Sequence, residues 1–247
     1  MKRIVKPALA ALAALFSAAA GAIGGLADVT VFDRSAGRVL PVYWHEGRAY
    51  VVGKPGNEYQ LHVRNRLGED LLAVMSVDGV NVVTGQTAAV HQSGYVLEPG
   101  RALALKGWRK DLQRTAAFYF TSLPDSYAAR TGRPDHVGTI GVAVFRRKRP
   151  EPAPDMGALS REAPAAAKAE SRAQDRDSGL GTGHGRSEHS PARRVEFERA
   201  TSAPAETVVL YYDSYRNLVA RGIVPRKPEH PQRFPQPFPG FVPDPPA

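Results

Sequence analysis

Residues 71–83 read LLAVMSVDGVNVV, and this stretch decides the fold of the chain. A bulky apolar run ends at Val77, Asp78 and Gly79 follow, and a second β-rich run begins at Val80. An Asp-Gly pair between two such runs is a strong hairpin signal, because both central residues of the turn need a positive φ. We therefore predict a buried strand, a tight turn at Asp78 and Gly79, and a returning strand.

The sequence on either side of this hairpin carries the same strand signals. Apolar and polar side chains alternate in residues 59–65, so Tyr59, Leu61 and Val63 are predicted to face the core. Short β-rich runs separated by Gly and Pro turns fill residues 28–147, and only residues 124–130 favour a helix. Many short strands at regular spacing indicate a sandwich or a barrel. We predict an all-β-dominant fold in which residues 28–147 form an antiparallel β-sandwich.

Beyond this domain the composition changes. Residues 148–194 are rich in Ala, Pro, Ser, Gly and charge and hold almost no bulky apolar side chain, which predicts a disordered linker. In residues 195–224, two β-rich runs precede a short helix that starts near Ser214 and ends at Gly222. Such a small β-β-α unit is not stable alone, so we expect it to dock on the sandwich as an added strand pair.

The C-terminal residues 225–247 form a Pro-rich tail with three aromatic side chains, Phe234, Phe238 and Phe241. Proline at this density favours extended polyproline II structure. Such a tail can dock into a groove of a partner protein. Alternatively, it wraps its own domain and buries the three rings, and the sequence leaves both interpretations open.

The N-terminal residues 1–27 have the layout of a secretory signal peptide. Lys2, Arg3 and Lys6 precede a short apolar segment, and small residues follow it. A cut after Ala20 or Ala22 fits the small-residue pattern, and a cut after Ala27 is a further alternative. An uncleaved anchor is the rival interpretation, but the apolar stretch barely reaches the roughly 20 residues that a spanning helix needs. We predict cleavage and a periplasmic or secreted protein.

The charge and the cysteine content restrict the chemistry. The formal net charge is +9, of which the leader contributes three positive charges and no negative one, so residues 28–247 carry +6. A basic exported chain suits an anionic polymer as a partner, although scattered basic residues are also typical of an ordinary solvated surface. The chain has no cysteine. This excludes disulfides, a thiol nucleophile and a Cys-ligated zinc site.

Several stretches together resemble a family of exported, uncharacterised bacterial proteins. They are residues 63–65, 71–85, 93–97 and 107–110, and the similarity continues through residues 116–121 and 138–145. Residues 181–186, 197–200 and 212–214 also look similar. The resemblance implies export and a β-rich domain. It implies no activity, cofactor or catalytic residue.

No motif in the sequence assembles a catalytic or metal site. The glycine-rich residues 179–185 lack the preceding strand and following helix of a dinucleotide fingerprint. His184 and His189 have Glu188 between them but lack a third strong metal ligand. A serine hydrolase needs a convergent Ser, His and acid. The candidates near the hairpin are in no Gly-x-Ser-x-Gly elbow, and they are Ser76, Asp78, His91 and Ser93.

Aromatic and imidazole side chains provide the candidate contacts with a ligand or partner. Trp108 lies among polar neighbours and is a better candidate for an exposed stacking platform than Trp44, although core packing is the more frequent role of such residues. His184 and the three phenylalanines of the tail complete the candidate set. We expect no cofactor, no metal and no catalytic residue.

The function that these patterns favour is a non-catalytic binding or envelope-assembly module. Its partner would be an envelope protein or an anionic polymer, with nucleic acid not expected. The alternative is an envelope hydrolase whose site is assembled from separate loops. A third interpretation is a scaffold whose Pro-rich tail recruits an envelope partner.

Overall fold

The computed structural model describes residues 21–149 and 179–226. Of these residues 49% lie in strands and 7% in helices, which confirms the all-β prediction. The elements in chain order are β1 (Ala27–Asp33), β2 (Arg38–Val39), β3 (Val42–His45), β4 (Arg48–Gly53), β5 (Glu58–Asn65), β6 (Leu71–Val77), β7 (Val80–Asn81), β8 (Tyr95–Leu97), β9 (Ala102–Leu105), β10 (Gly107–Arg109), β11 (Arg114–Ser122), α1 (Tyr127–Arg130), a 3-10 turn (Pro134–His136), β12 (Thr139–Arg146), β13 (Leu180–His189), β14 (Glu206–Ser214) and α2 (Tyr215–Ala220).

The strands form two seven-stranded sheets that enclose one main core. Sheet I has the order β10-β11-β5-β1-β2, with β13 also paired to β11 and β9 to β5. Sheet II has the order β3-β4-β14-β12-β6-β7, with β8 also paired to β6. The strand pairs are antiparallel except for β14 and β4, which run parallel. The sandwich prediction is therefore confirmed, with one parallel pair inside sheet II.

The predicted hairpin lies at the end of β6. Asp78 has φ 53° and Gly79 has φ 70°, as the turn requires. Tyr59, Leu61 and Val63 on β5 are fully buried, which confirms the inward face predicted from the alternation. Both faces of β6 are covered, because Leu72 and Val74 pack in a second apolar cluster with Phe145, outside the main core.

The predicted disordered linker contains a strand. Residues 150–178 lie outside the described residues, but β13 pairs with β11 from Ser122↔Leu180 to Arg114↔His189. The glycines of β13 lack bulk because neighbouring groups fill their space. A Cβ on Gly183 would lie 2.2 Å from the Tyr119 ring, and one on Gly181 would lie 2.5 Å from Cβ of Ser126. The lack of bulky side chains at these glycines of β13 therefore reflects close packing.

The C-terminal unit also differs from the prediction. Residues 195–198 form no strand, and the nearest pairing is the isolated bridge between Arg147 and Arg199. The second predicted strand is β14, and it lies between β4 and β12 in the middle of sheet II. It is therefore integral to the sandwich and is not an added pair. Helix α2 follows as predicted, with the Ser214 side chain accepting a hydrogen bond from the Asn217 amide.

The two ends of the chain are described in part. Residues 1–20 lie outside the described residues, whereas residues 21–27 of the predicted leader belong to the fold, and Ala27 opens β1. Of the predicted tail, the described part ends at Arg226, so Phe234, Phe238 and Phe241 lie beyond it. Among the described residues, no helix has the length and apolar character needed to cross a bilayer.

Candidate binding cleft

An open cleft of about 1320 Å³ lies where β8, the end of β10 and residues 190–199 meet. Three acidic side chains line it: Asp70, Glu98 and Asp111. Seven cationic side chains line it: Arg101, Arg109, Lys110, Arg147, Arg193, Arg194 and Arg199. We call this depression the basic cleft.

The floor of the basic cleft is strand β8, which pairs with β6 from Leu71↔Leu97 to Ala73↔Tyr95. Gly94 permits this close approach, since a Cβ there would lie 2.2 Å from the Ala73 carbonyl oxygen. Arg109 ties the floor to the wall. Its Nε donates to the Tyr95 hydroxyl at 2.9 Å, and its other nitrogens donate to the carbonyl and hydroxyl oxygens of Ser190.

Residues 190–199 form one wall. The amides of Ser190 and Ala192 donate to the carbonyls of Gln113 and Leu112, which continues the pairing beyond β13. The backbone amides of residues 193–197 make no backbone hydrogen bond within the described part of the chain. Stacking then fixes the far end of the wall, because the Arg147 guanidinium lies 4.8 Å from the Phe197 ring centroid.

The positive charge of the cleft is only partly neutralised. Arg147 pairs with Asp70 at 3.0 Å, and Arg101 lies 3.8 Å from Glu98. Asp111 pairs with Arg114, which is not part of the lining. Among the described residues, Lys110, Arg193 and Arg194 have no ion pair. The unpaired cations give the cleft a positive potential that attracts anions.

Two further cationic residues are held by neutral groups. Arg109 is bound to Tyr95 and Ser190 as above, and Arg199 donates to the carbonyls of Val90 and Gln92 at 2.8 and 2.7 Å. The Arg199 guanidinium also lies 4.2 Å from the Phe145 ring centroid. Because carbonyls and rings do not cancel its charge, each guanidinium remains an attractive centre for a bound anion.

Apolar side chains accompany these charges. Leu112 and Val195 line the cleft and are 44% and 49% exposed. The cleft can therefore contact both the charged groups and the carbon skeleton of a ligand.

The prediction that Trp108 is the more exposed tryptophan is wrong. Trp108 is 3% exposed and packs edge-to-face on Phe118, with 4.8 Å between the ring centroids, whereas Trp44 is 55% exposed. Successive side chains of a strand point to opposite faces, so the polar neighbour Arg109 does not make Trp108 exposed. Arg109 faces the cleft while Trp108 faces the core, so the role of Trp108 is core packing, the alternative to a stacking platform.

His184 lies on β13 and is exposed. Its ring centroid is 5.3 Å from that of Tyr127 and 6.3 Å from that of Trp108. Glu188, the acid between the two histidines, is engaged by Arg34 at 2.9 Å and Arg186 at 2.6 Å. Within residues 21–149 and 179–226, no group of three potential metal ligands is assembled.

Sequence reasoning missed a buried polar network at the predicted turn. Oδ1 of Asp78 accepts from the Tyr212 hydroxyl at 2.5 Å and the Gly138 amide at 2.9 Å, and Oδ2 accepts from the Thr182 amide at 2.7 Å. The Thr182 hydroxyl contacts the hydroxyls of Tyr59 and Tyr212, each at 2.6 Å. Burial raises the pKa of Asp78 to about 6. The only feature of the sequence that explained Asp78 was its position in the predicted turn.

The network is closed to ligands because Asp78, Thr182, Tyr59 and Tyr212 are at most 3% exposed. His91 and Ser93 line the basic cleft instead. The hydrolase candidates near the hairpin are thus divided between the core and the surface. The network joins β5, β13, β14 and the turn after β6, and its role is to hold the two sheets together.

Comparisons with protein-family models, with curated proteins and with solved structures find no match to this chain.

Proposed function

We propose that the protein is exported and acts as a non-catalytic binding or assembly module of the cell envelope, with an anionic polymer as the ligand of the basic cleft. The observation that carries this proposal is the unpaired charge of Lys110, Arg193 and Arg194 in one depression. Guanidinium groups bind carboxylate and phosphate in a bidentate geometry, so either kind of repeating anion suits the site.

A polymer suits the cleft better than a single small anion. The unpaired cations come from two segments, since Lys110 follows β10 while Arg193 and Arg194 belong to the wall formed by residues 190–199. One small anion contacts few of these groups, whereas a chain with repeated charges contacts them together. The exposed side chains of Leu112 and Val195 offer contacts to the uncharged backbone of such a polymer.

Export is supported by the basic and apolar pattern of residues 1–27. The envelope of a bacterium exposes anionic polymers to exported proteins, which is consistent with the charge of the chain. The absence of a convergent catalytic set in the sequence favours binding over hydrolysis.

The test is a titration of purified protein with polyphosphate and with polygalacturonate, with neutral dextran as the negative control. We expect binding to both anionic polymers and not to dextran, weakening as salt rises because screening acts on exposed charges. The double variant Arg193→Glu/Arg194→Glu should bind about tenfold more weakly or worse, equivalent to ~1.4 kcal/mol.

The matched control is Arg38→Glu/Arg216→Glu, which changes the net charge equally at two exposed positions on β2 and α2. Its affinity should stay within about twofold of the original protein, a difference of ~0.4 kcal/mol. Equal losses in the two double variants would mean that the overall charge drives binding and that the cleft is not the site. Failure of the unmodified protein to bind either polymer at low salt would contradict an anionic polymer as the ligand of the cleft.

A further inference from the structure

The last residues of the predicted leader are part of the sandwich. The Ile23 amide donates to the Val29 carbonyl at 3.0 Å, and the Val29 amide donates to the Ile23 carbonyl at 2.8 Å. The Ile23 side chain is 8% exposed and belongs to the main core. Ala27 is fully buried and pairs with Asn65 at the start of β1. Ile23 is therefore part of the folded domain.

A carboxylate from the far end of the chain holds the same segment. Oε1 of Glu206 accepts from the Gly25 amide at 2.5 Å. Its Oε2 accepts from the amides of Leu26 at 2.8 Å and Ala27 at 3.2 Å. The Leu26 carbonyl accepts from the Arg66 amide at 3.0 Å. Glu206 opens β14, so this contact connects the first strand of sheet I to a central strand of sheet II.

Gly24 allows the chain to reach this position. Its φ is +111°, and a Cβ there would lie 2.1 Å from the Ala27 carbonyl oxygen. Residues 23–27 thus combine a backbone bridge to β1, a buried side chain, three amides that donate to one carboxylate and a glycine with a positive φ. Removal of this segment would leave the Glu206 carboxylate without these three donors and would open the core beside Val29. Each lost hydrogen bond to this carboxylate also weakens the connection between the two sheets.

We infer that the export-linked processing site is the Ala20–Gly21 or the Ala22–Ile23 peptide bond, and that the mature chain retains residues 23–27. This inference rests on the export included in the proposed function. Hydrolysis adds one water across the bond, leaving a carboxylate on the released leader and an ammonium on Gly21 or Ile23. An ammonium at Ile23 still donates to the Val29 carbonyl, so either cut preserves the bridge.

The experiment expresses the full chain in a Gram-negative host and determines the N-terminus of the protein recovered from the periplasm by intact mass and N-terminal sequencing. Gly21 or Ile23 as the first residue supports the inference. Asp28 as the first residue overturns it while leaving export intact. Recovery of a chain that still begins at Met1 and stays in the cytoplasm overturns export as well, so the two failures are distinguishable.

Two lysine substitutions provide a matched pair. Ala20→Lys places a charge next to the Ala20–Gly21 bond and two residues before Ala22, so it should block both cuts and accumulate the precursor. Gly25→Lys places the same charge two residues before Ala27, and only a cut after Ala27 would be blocked. We expect precursor with Ala20→Lys and normal processing with Gly25→Lys. The reverse pattern would overturn the assignment.

Discussion

The Asp78 network and the basic cleft are both built from polar groups that lie far apart in the sequence. They differ in whether their charged groups have partners within the protein. In the network, one buried carboxylate receives three hydrogen bonds, from Tyr212, Gly138 and Thr182. In the cleft, Lys110, Arg193 and Arg194 are left without an ion pair in the described part of the chain. A buried carboxylate whose hydrogen-bond partners all come from the protein has a structural role. A surface cation without an ion pair is available to a ligand.

This comparison predicts the largest loss of stability at Asp78. Asp78→Ala removes the acceptor of three buried donors, so the free energy of unfolding should fall by about 3–5 kcal/mol, measured by urea denaturation. The control is Glu46→Ala, because Glu46 also has a positive φ, 48°, but its side chain is 79% exposed. That variant should lose less than about 1 kcal/mol. Similar losses in both variants would assign the effect to turn geometry and not to the network.

The titration of the Asp78 carboxylate should also make the free energy of unfolding depend on pH. Burial raises the pKa of Asp78 from 3.8 to about 6, so the protonated form is favoured in the folded protein. Its contribution is fully present below about pH 4 and is lost as the pH rises through about 6. We compare the unfolding free energies of the original protein and of Asp78→Asn, which has no titrating group there.

Between pH 7 and pH 4 the original protein should gain on the order of 2 kcal/mol relative to Asp78→Asn. The difference between the two proteins is the informative quantity, since other carboxylates shift the stability of both alike. Arg186, for instance, lowers the pKa of Glu58, and that contribution is lost as the pH falls. A difference that stays constant between pH 4 and pH 7 would mean that Asp78 does not titrate in this range.

The features that the sequence predicts are those set by neighbours along the chain. The turn at Asp78 and Gly79 depends on two adjacent residues, and the inward face of β5 depends on a period of two. The missed features depend on distant partners. The glycines of β13 are explained by Tyr119 and Ser126, more than 50 residues earlier in the chain.

The basic cleft was unpredictable for the same reason. The residues that line it extend from Asp70 to Arg199 in the sequence, and no short motif predicts that they meet. The candidate Trp108 is next to a residue that lines the cleft. Because side chains alternate along a strand, Arg109 faces the cleft and Trp108 faces the core. The parallel pairing of β14 with β4 likewise needs a long connection that a local pattern does not specify.

The smallest expected effect is on the stability of the cleft variant. Arg193→Glu/Arg194→Glu breaks no ion pair or buried contact in the described part of the chain, so its unfolding free energy should stay within about 0.5 kcal/mol of the original while binding is lost. Arg109→Ala is the contrasting variant, because Arg109 holds Tyr95 and Ser190 and so supports the wall itself. It should lose stability by about 1–3 kcal/mol and bind more weakly as well. If the double variant proved as destabilised as Arg109→Ala in urea denaturation, the charges of Arg193 and Arg194 would be structural, and the distinction between a compensated core and an uncompensated cleft would fail.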